Sequence, residues 1–426
     1  MKFFLNLLLF AGLILLCTYS TLAQNYPFWL NDSKQKYSEY PTAIASASGL
    51  VATVGFYEAD FNVDDLYYNT FYTVPCLYCN QQEQIFVNWH QEGTNNVWAA
   101  TISTNNGEFN NQVNVQSTPQ VDITSKGDVY VSFSYKGMVI VEDASGKRNT
   151  IFGNNTYDMA IVKFNANGDY EWHIAEGGLS NDYITDLDYN ETTKFLAIAG
   201  YVEGNRRLLL NNSMFIPAAS APSVLGANFN YGNAFAALYK DNGGSPSFAW
   251  GEDLEVHSYS TDIVQDDNGH VFMSGIYQSN SSVVTIAGLQ PSGQYSDGGL
   301  TDDYFIVRFN HSDGTPVWSE TYGGRHNELN IAPNQRLRYS SLAIKPQSSE
   351  LFHAFVSTGG YGGSGTHFTE FGTYINAIDA LNGAVTSSLT AAHIDFANAG
   401  TSNYPQSNSG SAVSYTHLTL PTTPYV

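Results

Sequence analysis

Related stretches of sequence return along this chain at nearly even intervals, and that limits its fold more than any other feature. Aligned on the aromatic or apolar residue that closes one β-prone run, the copies fall at Trp89, Phe164, Tyr239, Phe309 and Ile378, in steps of 75, 75, 70 and 69 residues. A tryptophan follows about nine residues later in four copies, at Trp98, Trp172, Trp250 and Trp318, and the fifth copy lacks it.

The stretch Thr261–Tyr322 shows what one unit contains. Asp262–Val264 is a short β-prone run. Asp266-Asp267-Asn268-Gly269 signals a tight turn, because Asn and Gly accept the positive φ that hairpins need. His270–Tyr277 reads as a second strand. Tyr304–Asn310 alternates, with Phe305, Val307 and Phe309 to one side and Ile306 and Arg308 to the other, the period of a strand. His311–Gly314 is a further turn, and Pro316–Tyr322 is a fourth strand that carries Trp318. A single four-stranded meander buries little and leaves two edges open. Recurrence of the unit solves that problem if the sheets pack face to face around an axis. The expected fold is therefore all-β, a β-propeller of four-stranded antiparallel blades with at least five copies. The four tryptophans are expected to pack between blades.

The hairpin half recurs as VDITSKGDVYVSFSY (Val121–Tyr135), TDLDYNETTKFLAIAGY (Thr185–Tyr201) and SLAIKPQSSELFHAFVS (Ser341–Ser357). It places an acid on the first strand, then a D-x-x-G-type turn, then V-[YF]-x-[ST]-G-[YF]. A later D-x-[FA]-[IV]-[VA]-[KR]-[FY] strand appears at Asp158–Phe164 and Asp303–Phe309. This pattern resembles the bacterial SBBP-type β-propeller repeat over most of residues 43–390. The resemblance implies the architecture and is nearly silent about activity.

Residues 1–23 have the form of a secretory signal, with Lys2, the apolar run Phe3–Cys17 and a small-residue cleavage site at Thr21-Leu22-Ala23. A secreted or cell-surface location follows. Residues 24–42 read as a lead-in and 43–412 as the repeats. The last stretch, VSYTHLTLPTTPYV (Val413–Val426), resembles translated sequencing-adapter read-through and is expected to be non-native, leaving the repeats truncated. No later segment is apolar enough to span a bilayer as a helix. Charged residues make up 13% and the formal net charge is −22. An acidic chain of this kind repels nucleic acid, which needs a basic footprint. A monomer is expected.

Cys76 and Cys79 are the only cysteines beyond the signal. In an exported chain they are expected to form a short disulfide that pins a loop. A redox C-x-x-C would need a thioredoxin-like βαβ setting, and zinc would need further local ligands. Excess length falls between the second and third strands of each copy, at about residues 58–84, 136–157, 202–232 and 278–302. In a blade that connection emerges on the same edge each time, so the insertions are expected to crowd one edge, either as a ligand-binding surface or packed on one another as an extra strand or rim.

No G-x-S-x-G, H-E-x-x-H or P-loop is present. Ser312-Asp313-Gly314 before Trp318 only approximates a sialidase Asp-box. Glycosidase-type acid pairs are available from Asp186, Asp188, Asp262, Asp266 and Asp267, and Asp186, Asp188 and Asn190 have an alternation suited to calcium. These acids recur by position, which favours a structural role such as hydrogen bonding to turn amides over catalysis or metal binding. His270 and His353 are expected to be hydrogen-bonded strand residues. The reading from sequence is thus a binding or scaffold module for an extracellular glycan or protein, without a cofactor. A carbohydrate-active enzyme on the same scaffold is the alternative.

Overall fold

In the computed structural model, the described residues are 40–57, 61–65, 70–74, 84–94, 96–104, 108–109, 118–179, 181–203, 208–210, 214–216, 232–279, 285–291, 301–322, 340–357, 360–361, 367–368 and 372–393. The signal segment 1–23, Cys76, Cys79 and the stretch 413–426 lie outside them. The described secondary structure is β, and none of it is a helix long and apolar enough to cross a membrane.

Five successive meanders, each of four antiparallel strands, account for most of the described residues. The first unit runs Tyr40–Ala47, Leu50–Tyr57, Gln84–Gln91, Val97–Thr104. Its first strand begins inside the segment read as a lead-in, and Pro41 is accommodated at the strand start beside a register shift, where no ladder donor is required. The second unit runs Gln120–Ile123, Val129–Glu142, Arg148–Phe164, Tyr170–Gly178. The third begins Asn181–Asn190, Phe195–Glu203, Gly232–Lys240. Its fourth strand and the first strand of the fourth unit are one continuous strand, Ser247–Gln265, so no loop separates these units. The fourth unit continues through Val271–Ser279, Thr301–Phe309 and Pro316–Tyr322. The fifth is Ser340–Ile344, Glu350–Ser357, Gly372–Asp379 and Val385–His393.

The alternation at Tyr304–Phe309 does not separate a wet face from a dry one. Both faces are buried, because each meets a different neighbour. Phe305, Val307 and Phe309 join a cluster with Ala236, Leu238 and Trp250 of the third unit. Tyr304 and Ile306 join another with Leu351, Phe355 and Ile378 of the fifth. The seam between the first and second units is filled by Val87, Trp98, Val131 and Phe164, and that between the second and third by Ile161, Trp172, Ile198 and Tyr239. Each such side chain contributes about 1.5–3 kcal/mol through burial, so the seams supply the core that no single sheet can build.

The tryptophans close these seams at the short-turn edge. Trp98, Trp250 and Trp318 donate Nε1–H to carbonyls in the third-to-fourth-strand turn of the following unit: Ala166 at 3.1 Å, His311 at 2.9 Å and Ala380 at 3.0 Å. Each ring also lies flat over a turn glycine of positive φ. A Cβ at Gly168, Gly314 or Gly383 would stand 2.7, 2.7 or 2.9 Å from Trp98, Trp250 or Trp318. Trp172 is buried in the remaining seam without a partner for its Nε1–H, and a Cβ at the matching Gly243 would meet nothing within 4 Å. The two glycines share a left-handed backbone (φ +76°) and differ only in the tryptophan. Gly314→Ala is therefore expected to lose about 1–3 kcal/mol more stability than Gly243→Ala, because only the former adds a clash to the backbone strain. Urea midpoints of the two variants check this.

Candidate functional site: the insertion-bearing edge

The acids singled out on the first strands are held by the neighbouring unit. Asp122 Oδ2 accepts from the Tyr189 amide at 2.7 Å, Asp186 Oδ2 from Ile263 at 3.0 Å, Asp188 Oδ2 from Gln265 at 2.9 Å, and Asp262 Oδ2 from Leu342 at 2.9 Å. First strands of adjacent units share no backbone ladder among the described residues, so these carboxylates join them instead. The expectation that the acids serve turn amides holds for two of them: Asp266 accepts from Asn268 and His270 in its own turn, and Asp267 from a turn of the fifth unit. Asp267 reaches across to the Gln347 amide at 2.7 Å. Asn190 Oδ1 caps its own turn at Thr192 and Thr193, while its Nδ2 donates to the Asp266 carbonyl. The calcium alternation at Asp186, Asp188 and Asn190 is thus committed to amides in two adjoining units. His270 Nδ1 pairs with Asp266 Oδ2 at 2.8 Å, and His353 Nε2 with Ser340 Oγ at 2.8 Å. Asp313 turns back onto Thr315, as a turn residue does.

At the opposite edge, where second strands end and third strands begin, the insertions leave the sheets. Among the described residues four of them carry extra strands, in the first, second, third and fifth units, and two of these pair with the preceding unit. In the second unit the second and third strands run on past the meander, and Val139–Glu142 pairs with Thr101–Thr104 of the first unit's outer strand. In the third unit the hairpin Leu208–Leu210/Met214–Ile216 pairs with Gly177 and Gly178 of the second unit's outer strand. An insertion of one unit therefore completes the exposed edge of the preceding one.

Two carboxyls from different units converge here. Asp158 lies at the inner start of the second unit's third strand and Asp182 near the start of the third unit's first strand; they are 3% and 0% exposed. Asp158 Oδ2 accepts from the Asn154 amide at 2.5 Å. Neither oxygen of Asp182 has a partner of ordinary hydrogen-bond geometry, although the Gly178 amide faces both carboxyls. Burial, and then the charge of Asp158, push the Asp182 carboxyl up to about 8. Burial also raises Asp158, against the lowering pull of the Asn154 amide. The backbone has been stripped to admit these groups: a Cβ at Gly177 would lie 2.0 Å from Asp158 Oδ1, and one at Gly153 would lie 2.9 Å from Asp158 Oδ2.

Beside them runs a row of tyrosines. Tyr157 and Tyr183 have ring centres 5.5 Å apart, Tyr183 and Tyr201 stack at 4.9 Å, and Tyr201 meets Tyr259 edge-on at 6.2 Å. Tyr183 Oη and Asn181 Nδ2 both donate to Glu203 Oε2, at 3.3 and 3.1 Å. Tyr157, Asn181 and Glu203 are the partly exposed end of this group.

Sequence reasoning took Asp158 only as a motif position and missed Asp182. The signal for Asp182 is a departure from the repeat. With Asp186 and Asp262 in register, Asp182 falls where the next unit has Ser258. The Asp158 position, by contrast, is polar in other copies too: Gln84 Oε1 accepts from the Thr104 amide at 2.8 Å, Asn233 Nδ2 donates to Asp253 at 2.6 Å, and the fourth unit has Asp303 there.

No family model matches the chain, and no curated protein matches it. Among solved structures, a single-residue variant of Synechocystis apocarotenoid oxygenase is similar at 10% identity and a TM-score of 0.38, over 85% of this chain and 63% of that one. The present chain thus spans less than two thirds of that protein's length. Apo AztD from Citrobacter koseri is similar at 8% identity and a TM-score of 0.28, over 86% and 90% of the two chains. The β-propeller domain of the Trilobed protease from Pyrococcus furiosus is similar at 8% identity and a TM-score of 0.23, over 79% and 95%. At such low likeness none of these proteins lends its chemistry to this chain.

Proposed function

We propose that the five meanders are blades of an exported β-propeller of SBBP-type repeats, and that the chain is a binding module whose insertion-bearing edge takes an extracellular glycan. Face-to-face packing of successive units through four hydrophobic clusters supports the propeller reading. The observation that carries the binding reading is the contrast between edges. One edge has short turns locked by tryptophan and carboxylate contacts between units. The other carries every long insertion together with the Tyr157–Tyr183–Tyr201 row and its Asn181–Glu203 end. Aromatic faces beside a few fixed amide and carboxylate groups form the usual lining of a site for a polar ligand with apolar faces, and a sugar has that character.

The acids first considered for glycoside hydrolysis accept hydrogen bonds from backbone amides, so the binding reading is preferred to the enzymatic one. The test is a glycan array probed with the full chain, followed by titration of the best ligand. Tyr157→Ala and Glu203→Gln are each expected to weaken binding about tenfold, on the order of 1.4 kcal/mol, with an unchanged far-UV circular dichroism spectrum. Silence of the full chain across the array, or wild-type affinity in both variants, would overturn the reading.

A further inference from the structure

We propose that the Asp158–Asp182 pair is a calcium site that fastens the third unit to the second. This goes beyond glycan binding and does not depend on it.

Two carboxyls from separate units are buried side by side, and no basic side chain is among the groups acting on either. Two such anions packed together without a counter-charge are costly, so a cation or a proton must offset them. Asp182 is fully buried, and apart from the Gly178 amide that faces it, neither oxygen has a partner of ordinary hydrogen-bond geometry, which leaves them open to a metal.

The available donors are all oxygen. Asp158 Oδ1 takes a long 3.4 Å contact from Asn154 Nδ2, with the Gly178 amide facing the same carboxyl. The Gly178 carbonyl receives two long side-chain contacts, 3.3 Å from Asn154 Nδ2 and 3.5 Å from Thr156 Oγ1. Rotating the Asn154 amide by half a turn would present its Oδ1 in the same direction. A set of two carboxylates, a backbone carbonyl and a side-chain amide oxygen suits a hard cation, and its adaptable arrangement suits calcium better than magnesium, which demands a near-ideal octahedron. Zinc and copper sites draw on nitrogen and sulfur, and the donors named here include neither.

Location supports the assignment. The strands that carry Asp158 and Asp182 belong to different units, so one ion ligated by both would join their edges. The glycines at 153 and 177 remove the side chains that would otherwise collide with Asp158. Ser258, at the matching place in the next unit, is neutral and hydrogen-bonded to the Ala234 amide and the Val256 carbonyl, so the pair is particular to this seam and not part of the repeat.

The experiment uses the full chain at neutral pH and two readouts. Thermal unfolding is followed in EDTA, in about 10 mM calcium chloride, in magnesium chloride and in sodium chloride of matched ionic strength, concentrations chosen for the weak affinities of extracellular calcium modules. Calcium is expected to raise Tm by about 3 °C or more over EDTA, and over the two other salts. Terbium emission is expected to be sensitised by the nearby tyrosines and to be displaced by calcium. Asp182→Asn is the key variant, since it keeps the shape of a neutral acid and the protein should remain folded in EDTA. It is expected to abolish both the calcium shift and the terbium signal. Two outcomes would overturn the proposal: no calcium-specific shift and no terbium emission in the wild type, which would leave a proton as the compensating charge, or both signals surviving in Asp182→Asn.

Discussion

Replacing Lys163 by methionine is expected to destabilise the protein by about 3–5 kcal/mol, the penalty typical of breaking a buried ion pair from one side. Lys163 is the [KR] of the second unit's D-x-[FA]-[IV]-[VA]-[KR]-[FY] strand, and its Nζ lies at 2.9 Å from Asp241, 2.9 Å from Glu171 and 3.2 Å from Asp128. Its side chain is 5% exposed and that of Asp241 is 3%, so this is an interior pair. Burial alone would lower the Lys163 pKa, but the hydrogen bonds to Asp241 and Glu171 and the charge of Asp128 raise it on balance. Tyr130 donates to the same Asp241 oxygen at 2.7 Å and lies 5.4 Å beneath the ammonium. Asp241 belongs to the third unit's turn, where Trp172 makes no hydrogen bond, so the lysine does at this seam what the tryptophans do elsewhere. Methionine keeps the length of the stem and removes the charge, stranding Asp241 in the seam. Adding Asp241→Asn, which still accepts from Tyr130, is expected to restore more than half of the loss. Urea midpoints of the wild type, both single variants and the double variant check this. A single-variant loss below about 1 kcal/mol, the level of an exposed pair, would show that the cluster is not acting as a buried one.

Much of this architecture could be read from the residues. The positions at Phe164, Tyr239, Phe309 and Ile378 do occupy successive hydrophobic seams, because the identity of a strand-ending aromatic is fixed by the same contact each time. The turn glycines were legible for a similar reason: positive φ leaves a mark in sequence. Contacts between units were harder to see. Whether Asp186 serves its own turn or the Ile263 amide depends on the stagger of two strands that share no ladder, and local pattern carries no record of stagger. The alternation at Tyr304–Phe309 marks a strand but not that both of its faces are covered: Arg308, on the side of Ile306, is 8% exposed and its Nη1 donates to the Leu381 carbonyl at 3.0 Å. The long strand Ser247–Gln265 was hidden because a bulge between Ser260 and Asp262 shifts its register without any Gly or Pro to announce the change. Asp182 was missed because a repeat reading rewards what recurs, and this acid does not.

Between about pH 6.5 and pH 3, stability is expected to fall as acid is added because of one residue, His353. Its ring is fully buried, stacked on Phe355 at 4.8 Å and flanked by Tyr322 at 5.4 Å and Tyr304 at 6.2 Å. The neighbouring hydroxyls assign its tautomer. Ser340 Oγ donates to Ser274 Oγ at 3.1 Å, so the 2.8 Å contact is completed by His353 Nε2–H donating to Ser340. Nδ1 is then the bare nitrogen, and it has no partner. Protonation would place a charge and an unmatched N–H inside an aromatic seam, and burial accordingly pushes the pKa down from 6.5 to about 3. In the unfolded chain the ring protonates near 6.5, so between the two values the unfolded state holds more protons and stability rises with pH. At about 1.4 kcal/mol per unit, the whole window is worth about 5 kcal/mol, present in full above pH 6.5 and lost as pH falls toward 3. The carboxylates titrate in the same range, so the comparison must be with His353→Leu, in which they are unchanged and Ser340 keeps its bond to Ser274. Lowering the pH from 6.5 to 4.5 is expected to destabilise the wild type by about 2 kcal/mol more than the variant. Parallel stability curves for the two proteins would mean that the ring is not held neutral in this seam.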